Sequence, residues 1–529
     1  MTRDLFAREA LSHIPKLLTL LDRNPHSPTY GCFDRNFWHY KIIDFPSGMS
    51  QEFVWPLALA YDTEIPKNPY YHEHTIKEWA EAGILYAAKS AHSDGSCDDY
   101  FPFERAGGAA AFSLLACVES YSILKLENKI ALEFFERRAD WLAGHNESGR
   151  LSNHQALSVV CLELVSRILN TNRWDKAKAA RLDRVLSWQS EEGWFWEYEG
   201  CDPGYHTLTV WCLARLYQLD PSRKLKNALT MAVRLAAEFV HPDGSYGGEY
   251  GSRNTYNFFP HGFELVGSWL PEALSINNCF LEGLARGLAP CYADDHIIGH
   301  HAWNYLLAWR DFVLDRTTTR QSRESIWLKR AGILIDRRAG TELYIALNKG
   351  GAFKLFRDGK LVASDTQLSL EVQTGGKTAN AVGHLIDEYQ INVSENEISV
   401  RGSLGWAKQT QMTPLKLVAL RLAMITIGRF FPNLMRSVLQ KMLITGKKNA
   451  PFEFARSLAW ENGGWRIIDE LRARSWKGVT AAGIGCDQTS IHVVMSRTYQ
   501  RGQLRGWLDL TNQVRKLRAG EALIVDRSL

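Results

Sequence analysis

Two hydrophobic periodicities divide the chain. Up to about residue 316, apolar positions recur at three- and four-residue spacing, the pattern of a helix that buries one face. Four such helices lie near 106–124, 152–170, 204–218 and 261–273. Each follows a glycine turn: Asp94-Gly95-Ser96, Ser148-Gly149-Arg150, Glu192-Gly193-Trp194 and Asp243-Gly244-Ser245. Another helical pattern precedes each turn. Helical hairpins repeating every ~50 residues predict a solenoid or a closed toroid. Segments 51–62 and 73–90 read as earlier turns of the array, and 276–316 as the last.

After about residue 320 the period changes to two. GTELYIALNKG, GAFKLFRDGKLVASD, LSLEVQT and EISVRGSLGW alternate, as do the later GWRIIDELRARSW, SIHVVMSRTY and EALIVDR. Asp358-Gly359 between two apolar runs is a hairpin signal. This part predicts antiparallel sheets packed as a sandwich. One segment, 413–443, breaks the pattern with a helical, amphipathic run carrying Lys416, Arg421, Arg429, Arg436 and Lys441; Lys447 and Lys448 follow. The expected reading is a helical insertion packed on the sandwich or the toroid; the alternative is a helix on a membrane surface. The fold class is thus α+β, multidomain: an N-terminal (α/α) incomplete toroid over 1–318, then an antiparallel β-sandwich over 319–529, with a helical insertion at about 413–445.

Length and charge agree with two units. The chain has 529 residues, more than one ordinary domain holds. Its net charge of +4 conceals an imbalance: residues 319–529 carry about 32 basic and about 18 acidic side chains, leaving about 30 and about 40 before them. A basic second half suits an anionic partner: an acidic glycan or a membrane surface. No nucleic-acid motif accompanies it, so no nucleic acid is expected. Nine scattered cysteines without a CxxC read as reduced thiols, and the N-terminus lacks a signal-peptide core. No stretch reaches a membrane span. A cytoplasmic location is the expectation. Eighteen Trp and nineteen Tyr supply either large cores or faces on which sugar rings stack.

In a toroid of hairpins the inner helices start at one face of a central cavity, where their N–H groups favour anions. Four groups sit at such starts: Asp98, Asp99, Tyr100, Glu104 and Arg105; Ser152, Asn153 and His154; Trp194 to Glu199, leading into Asp202, Tyr205 and His206; and Tyr246, Glu249, Tyr250, Arg253, Asn254, Tyr256, Asn257 and His261. Such a lining offers stacking faces and directional hydrogen bonds to a sugar polymer. The expected substrate-binding residues are Arg105, Trp194, Trp196, Glu199, Tyr246, Tyr250, Arg253, Asn254, Tyr256 and His261.

GRLSNHQALSVVCLELV resembles the Asn-His helix start of heparinase II/III-like and related alginate lyases. EEGWFWEYEGCDPGYHTLTVWCLARLY resembles their segment leading to Pro-x-Tyr-His, and HPDGSYGGEYGSRNTY the next turn. The resemblance implies β-elimination at a uronic acid, without a cofactor, on an acidic polysaccharide. It implies Asn153 on the carboxylate, His154 as a second donor or base, and Tyr205 as general base or acid; His206 joins them as a candidate. A tyrosine titrates near ~10 and needs a positive setting to act as a base, which Arg253 or Arg105 would supply. The sequence departs from this family in lacking a His-x-His-x-Asp motif early in the β region; His384 and His492 are the only histidines after residue 301.

Asp294, Asp295, His296, His300 and His301 form a metal-like cluster, but no distant ligand completes it, and no metal is expected. A glycoside hydrolase on the same toroid is the alternative, drawing on Glu197, Glu199, Asp202, Glu249 or Glu264. A non-catalytic or biosynthetic partner in surface-polysaccharide assembly is another. Gln189 and the Trp-rich turn raise a terpenoid-cyclase reading, against which the β region and the lack of an Asp-rich trigger argue.

Overall fold

The computed structural model describes residues 3–529 apart from 148, 293–297, 317–322, 387, 408–410, 441–446, 486–495, 501–502 and 505–506. Six helices form an inner ring: Val54–Asp62, Gly107–Ile123, Ser152–Ile168, Pro203–Leu219, His261–Gly267 and Gly299–Arg310. Each packs on the next, and the last packs on the first. Six more surround them: Asp4–Leu20, His74–Ser90, Lys129–Gly144, Asp175–Ser187, Arg223–Glu238 and Glu272–Ala285. Composition sorts the two rings. Gly107–Ile123 is apolar nearly all round and is buried nearly all round. Arg223–Glu238 buries one stripe, including Leu225, Leu229, Ala232 and Val233, and turns its charges outward.

The glycine turns are the repeat made visible. Gly95, Gly149, Gly193 and Gly244 share a left-handed φ of 88°, 91°, 99° and 88°. In three of them the same bonds recur: the N–H groups of Gly95, Gly193 and Gly244 donate to the carbonyls of His92, Ser190 and His241, and the N–H groups of those three residues donate to the carbonyls of Ser96, Trp194 and Ser245. A Cβ on Gly244 would lie 2.5 Å from the Cys279 carbonyl of the next outer helix, so both the φ and the close approach require glycine.

The expected hollow along the axis is a correction. Among the described residues the axis is filled by indoles from three inner helices. Trp55 stacks on Trp303 at 4.5 Å, and Trp211 meets Trp303 edge-on at 4.8 Å. Helices that bury every face must fill their shared centre, and large aromatic side chains do so here.

The second half forms two antiparallel sheets. One has five strands in chain order: 326–328, 333–338, 341–346, 352–357 and 360–365. The other runs 508–509, 479–484, 368–374, 377–382, 397–407, 449–461, 464–473 and 522–528, with 390–393 added beside 397–407. Leu343, Ile345 and Leu355 of the first meet Leu370, Val400 and Phe454 of the second in one core. Asp358 and Gly359, at φ 49° and 74°, make the expected two-residue hairpin turn. The long strand 449–461 escapes a reading by alternation because Arg456 occupies one of its inward positions.

The first sheet seats on the loops of the third and fourth glycine turns. Tyr344 Oη donates to the Val240 carbonyl at 3.1 Å, and the backbone N–H groups of Arg330 and Ala331 donate to Glu192 at 2.8 and 3.0 Å. The insertion consists of helices Pro414–Ala423 and Pro432–Gln440 joined through a wide turn; 441–446, with Lys441, lie outside the described residues. Its expected packing takes a different form. It grips the toroid rim by ion pairs, Arg421 to Asp44 at 3.0 Å, Arg436 to Glu147 at 2.7 Å and Lys447 to Glu199 at 2.7 Å, while helix Pro414–Ala423 has no buried residue. Among the described residues no helix is long and apolar enough to cross a membrane.

Candidate functional site at the mouth of the toroid

Three successive hairpins deliver a polar cluster to the end of the ring where the inner helices start. Asp202 caps helix Pro203–Leu219 through the Tyr205 N–H, with Pro203 in the first turn, and so fixes where Tyr205 begins. The second carboxylate oxygen of Asp202 accepts from the Arg253 N–H at 3.0 Å, tying the next loop to the same point. The Arg253 guanidinium then lies 4.2 Å from the Tyr205 ring centroid and 4.7 Å from that of Tyr198. It donates to Glu197 Oε1 at 2.8 Å, and Asn153 Nδ2 donates to Glu197 Oε2 at 2.6 Å. One carboxylate is thus clamped between an amide and a guanidinium beside a tyrosine. Asn153, Glu197, Tyr205 and Arg253 are all buried.

A second group adjoins it. His154 Nδ1 lies 2.6 Å from Glu147 Oε2, and Arg436 of the insertion reaches Glu147 Oε1. Burial pushes the Glu147 carboxyl up, but His154 and Arg436 outweigh it and hold it well below the usual carboxylate range. Burial pushes Tyr205 up by more than Arg253 pulls it down, so its hydroxyl stays protonated. The positive setting expected for this tyrosine is present, yet it yields a proton donor rather than a ready base. Burial likewise raises Glu197 against the pull of Arg253. Arg105, Tyr198 and Asn254, one in each of three glycine-turn units, hold left-handed φ values of 52°, 56° and 58°. Such strain in bulky residues gathers where a structure fixes side chains for a task.

Glu104 carries a testable consequence. Burial, with Asp99 beside it, raises its carboxyl to about 7 against the N–H groups of Tyr100 and Asp99 and the charge of Arg436. The native state therefore keeps a proton that the unfolded chain gives up near 4.5, and stability falls as pH rises between these values. Glu104→Gln is expected to remove that slope, gaining roughly 3 kcal/mol on the parent at about pH 8 relative to about pH 5. Urea unfolding at the two pH values measures it, and parallel curves for parent and variant would refute the assignment.

The structure separates other expected residues from this cluster. Arg105 pairs with Asp94 at 2.7 Å in the first hairpin. Trp196 is half-buried under Arg150, and Glu199 is exposed and paired with Lys447. Asn254 accepts from the buried Lys349 ammonium, which also holds the carbonyls of Glu249 and Gly251. The remaining expected contacts are buried and bonded within the fold, Tyr250 also lining a small cavity. Trp194 donates to Glu192, Tyr246 packs on Phe258, Tyr250 bonds His241 and stacks on Tyr344, and Tyr256 bonds Glu249. His261 bridges Trp211 and Asp311, and His206 bonds the Ala232 carbonyl, with burial lowering it to about 4. Aromatic residues at inner-helix starts face the crowded ring and the docked sheet, so packing claims them first.

Several groups at the mouth escaped the sequence reading. Glu147 and Arg436 meet across 289 positions in the chain, and no local signal links them. His384, from the sheet region, lines a cavity of about 170 Å³ together with Glu199, Tyr250, Ser252, Lys349 and Lys447. Burial and Lys349 keep it neutral, lowered to about 3. Of the metal-like cluster, Asp294, Asp295 and His296 lie outside the described residues, as does His492. His300 Nδ1 sits 2.5 Å from Glu52 and its ring stacks on Phe112, while the His301 ring stacks on Tyr305. Among the described residues no group of three or more metal-ligating side chains gathers.

No family model matches the sequence, and no curated protein matches it. Solved structures do resemble it in fold. Heparinase III, the BT4657 gene product, is 10% identical over 90% of this chain and 72% of its own, with a TM-score of 0.43. A mutant chondroitin AC lyase of Streptomyces coelicolor A3 is 10% identical over 92% of this chain and 68% of its own, with a TM-score of 0.48. A mutant unsaturated glucuronyl hydrolase of Streptococcus agalactiae is 14% identical over 60% of this chain and 93% of its own, with a TM-score of 0.41.

Proposed function

We propose that the protein acts on a uronate-containing acidic polysaccharide by β-elimination at the toroid mouth. The observation that supports this most is the carboxylate clamp: Asn153 and Arg253 hold the Glu197 carboxylate, and the same guanidinium lies over the Tyr205 ring. A uronate carboxylate taking the place of Glu197 would receive the same two donors. Their charge and hydrogen bonds would stabilise the anion formed when the neighbouring ring carbon loses its proton. His154, oriented by Glu147, is the base of this reading, and Tyr205, held protonated, gives its proton to the leaving glycosidic oxygen. The C–H electron pair becomes the new ring double bond as the C–O bond breaks. The buried thiols Cys32, Cys97, Cys117, Cys161, Cys201 and Cys212 suit a reducing compartment, so we place the reaction in the cytoplasm.

A second reading draws on Glu104, a carboxyl raised to about 7, which is what the acid of a glycoside hydrolase requires. One experiment separates them: purified protein against a panel of acidic polysaccharides, followed by ultraviolet absorbance and by reducing ends. Unsaturated, absorbing ends are expected. New reducing ends without absorbance would replace elimination by hydrolysis. Binding without either product would leave a non-catalytic role in polysaccharide assembly.

A further inference from the structure

The helical insertion projects apolar side chains that none of the described residues covers. Leu415, Val418, Leu422 and Ile425 recur at three- and four-residue spacing on one side of the first helix and its wide turn. Phe430 and Phe431, at the bend before Pro432, are 64% and 60% exposed, and Leu434 of the second helix is 58% exposed. A contiguous run of large exposed apolar residues is uncommon on a soluble surface and marks a contact. Charge states which contact. Between Glu397 and Glu453 the chain contains no acidic residue and nine basic ones. Three of the basic residues, Arg421, Arg436 and Lys447, are spent on the toroid rim. Lys416 and Arg429 are exposed beside the apolar face.

We propose that this hairpin docks on an anionic lipid bilayer, with Phe430 and Phe431 entering the interface and Lys416 and Arg429 meeting lipid phosphates. Apolar burial and electrostatic attraction together make such binding, and either alone is weak. The rim ion pairs fix the hairpin to the toroid, so docking also tethers the toroid to the membrane surface. Docking on the bilayer is independent of the chemistry at the mouth.

Co-sedimentation of the full chain with vesicles tests it. Binding is expected with phosphatidylcholine mixed with phosphatidylglycerol, and much less with phosphatidylcholine alone. The double variant Phe430→Ser/Phe431→Ser is expected to lose vesicle binding. Lys416→Glu/Arg429→Glu is expected to bind the anionic vesicles at least about tenfold more weakly. All four side chains are exposed, so circular dichroism is expected to show both variants folded. Equal binding to both vesicle types, or none to either, would overturn the proposal. So would a second copy covering the face: a dimer in sedimentation equilibrium that the phenylalanine variant converts to monomer while vesicles go unbound.

Discussion

Arg456→Ala is expected to destabilise the fold by roughly 3–5 kcal/mol, enough to consume much of the stability of an ordinary domain. Arg456 is fully buried between the two sheets. It donates to Asp469 at 2.6 and 3.1 Å, to Asp365 at 2.8 and 3.2 Å, and to the Gly351 carbonyl at 2.9 Å. Asp365 closes a strand of the first sheet and Asp469 belongs to the second, so one side chain cross-links the layers. Arg527 supports both carboxylates from one side, at 2.9 and 2.6 Å. Removing Arg456 leaves two buried carboxylates to share Arg527. The cost comes mainly from the stranded charges, so replacing the whole network with apolar residues of similar volume is expected to cost far less. Denaturant midpoints for both variants give the comparison. A loss below about 1 kcal/mol for Arg456→Ala would show that water or a neighbour reaches the carboxylates.

Tyr205→Phe is expected to lower turnover of a uronate substrate by about 10²–10⁴-fold while leaving the fold intact. The ring that supports the Arg253 guanidinium remains, and the clamp on the carboxylate with it. Only the proton is lost. Because burial holds that hydroxyl protonated, the parent rate is expected to stay flat on the alkaline side well past neutral pH. A Phe variant as fast as the parent would remove Tyr205 from the chemistry. An equal fall in affinity and rate would recast it as a positioning residue for Arg253.

Much of the architecture was legible along the chain because it is written in short periods. The four glycine turns carry a φ that other residues resist, and Gly244 also touches the next outer helix. Asp358-Gly359 dictates its hairpin in the same local way. The site was legible only as a set of candidates. Asn153, Tyr205 and Arg253 do come together, while Tyr246, Tyr256 and His261, equally suggestive as letters, are buried in other contacts.

What the sequence by itself determined is local: the helical hairpins, their repeat, the switch to strands near residue 320 and the basic insertion. Each follows from periodicity, turn chemistry or charge within a few residues of the chain. The tertiary structure alone decided that indoles close the ring axis, that Glu197 occupies the carboxylate clamp, that Arg436 reaches Glu147, and that the insertion keeps its apolar face outward. These depend on which distant side chains compete for the same buried volume and the same counter-charge, a contest settled only when the elements pack.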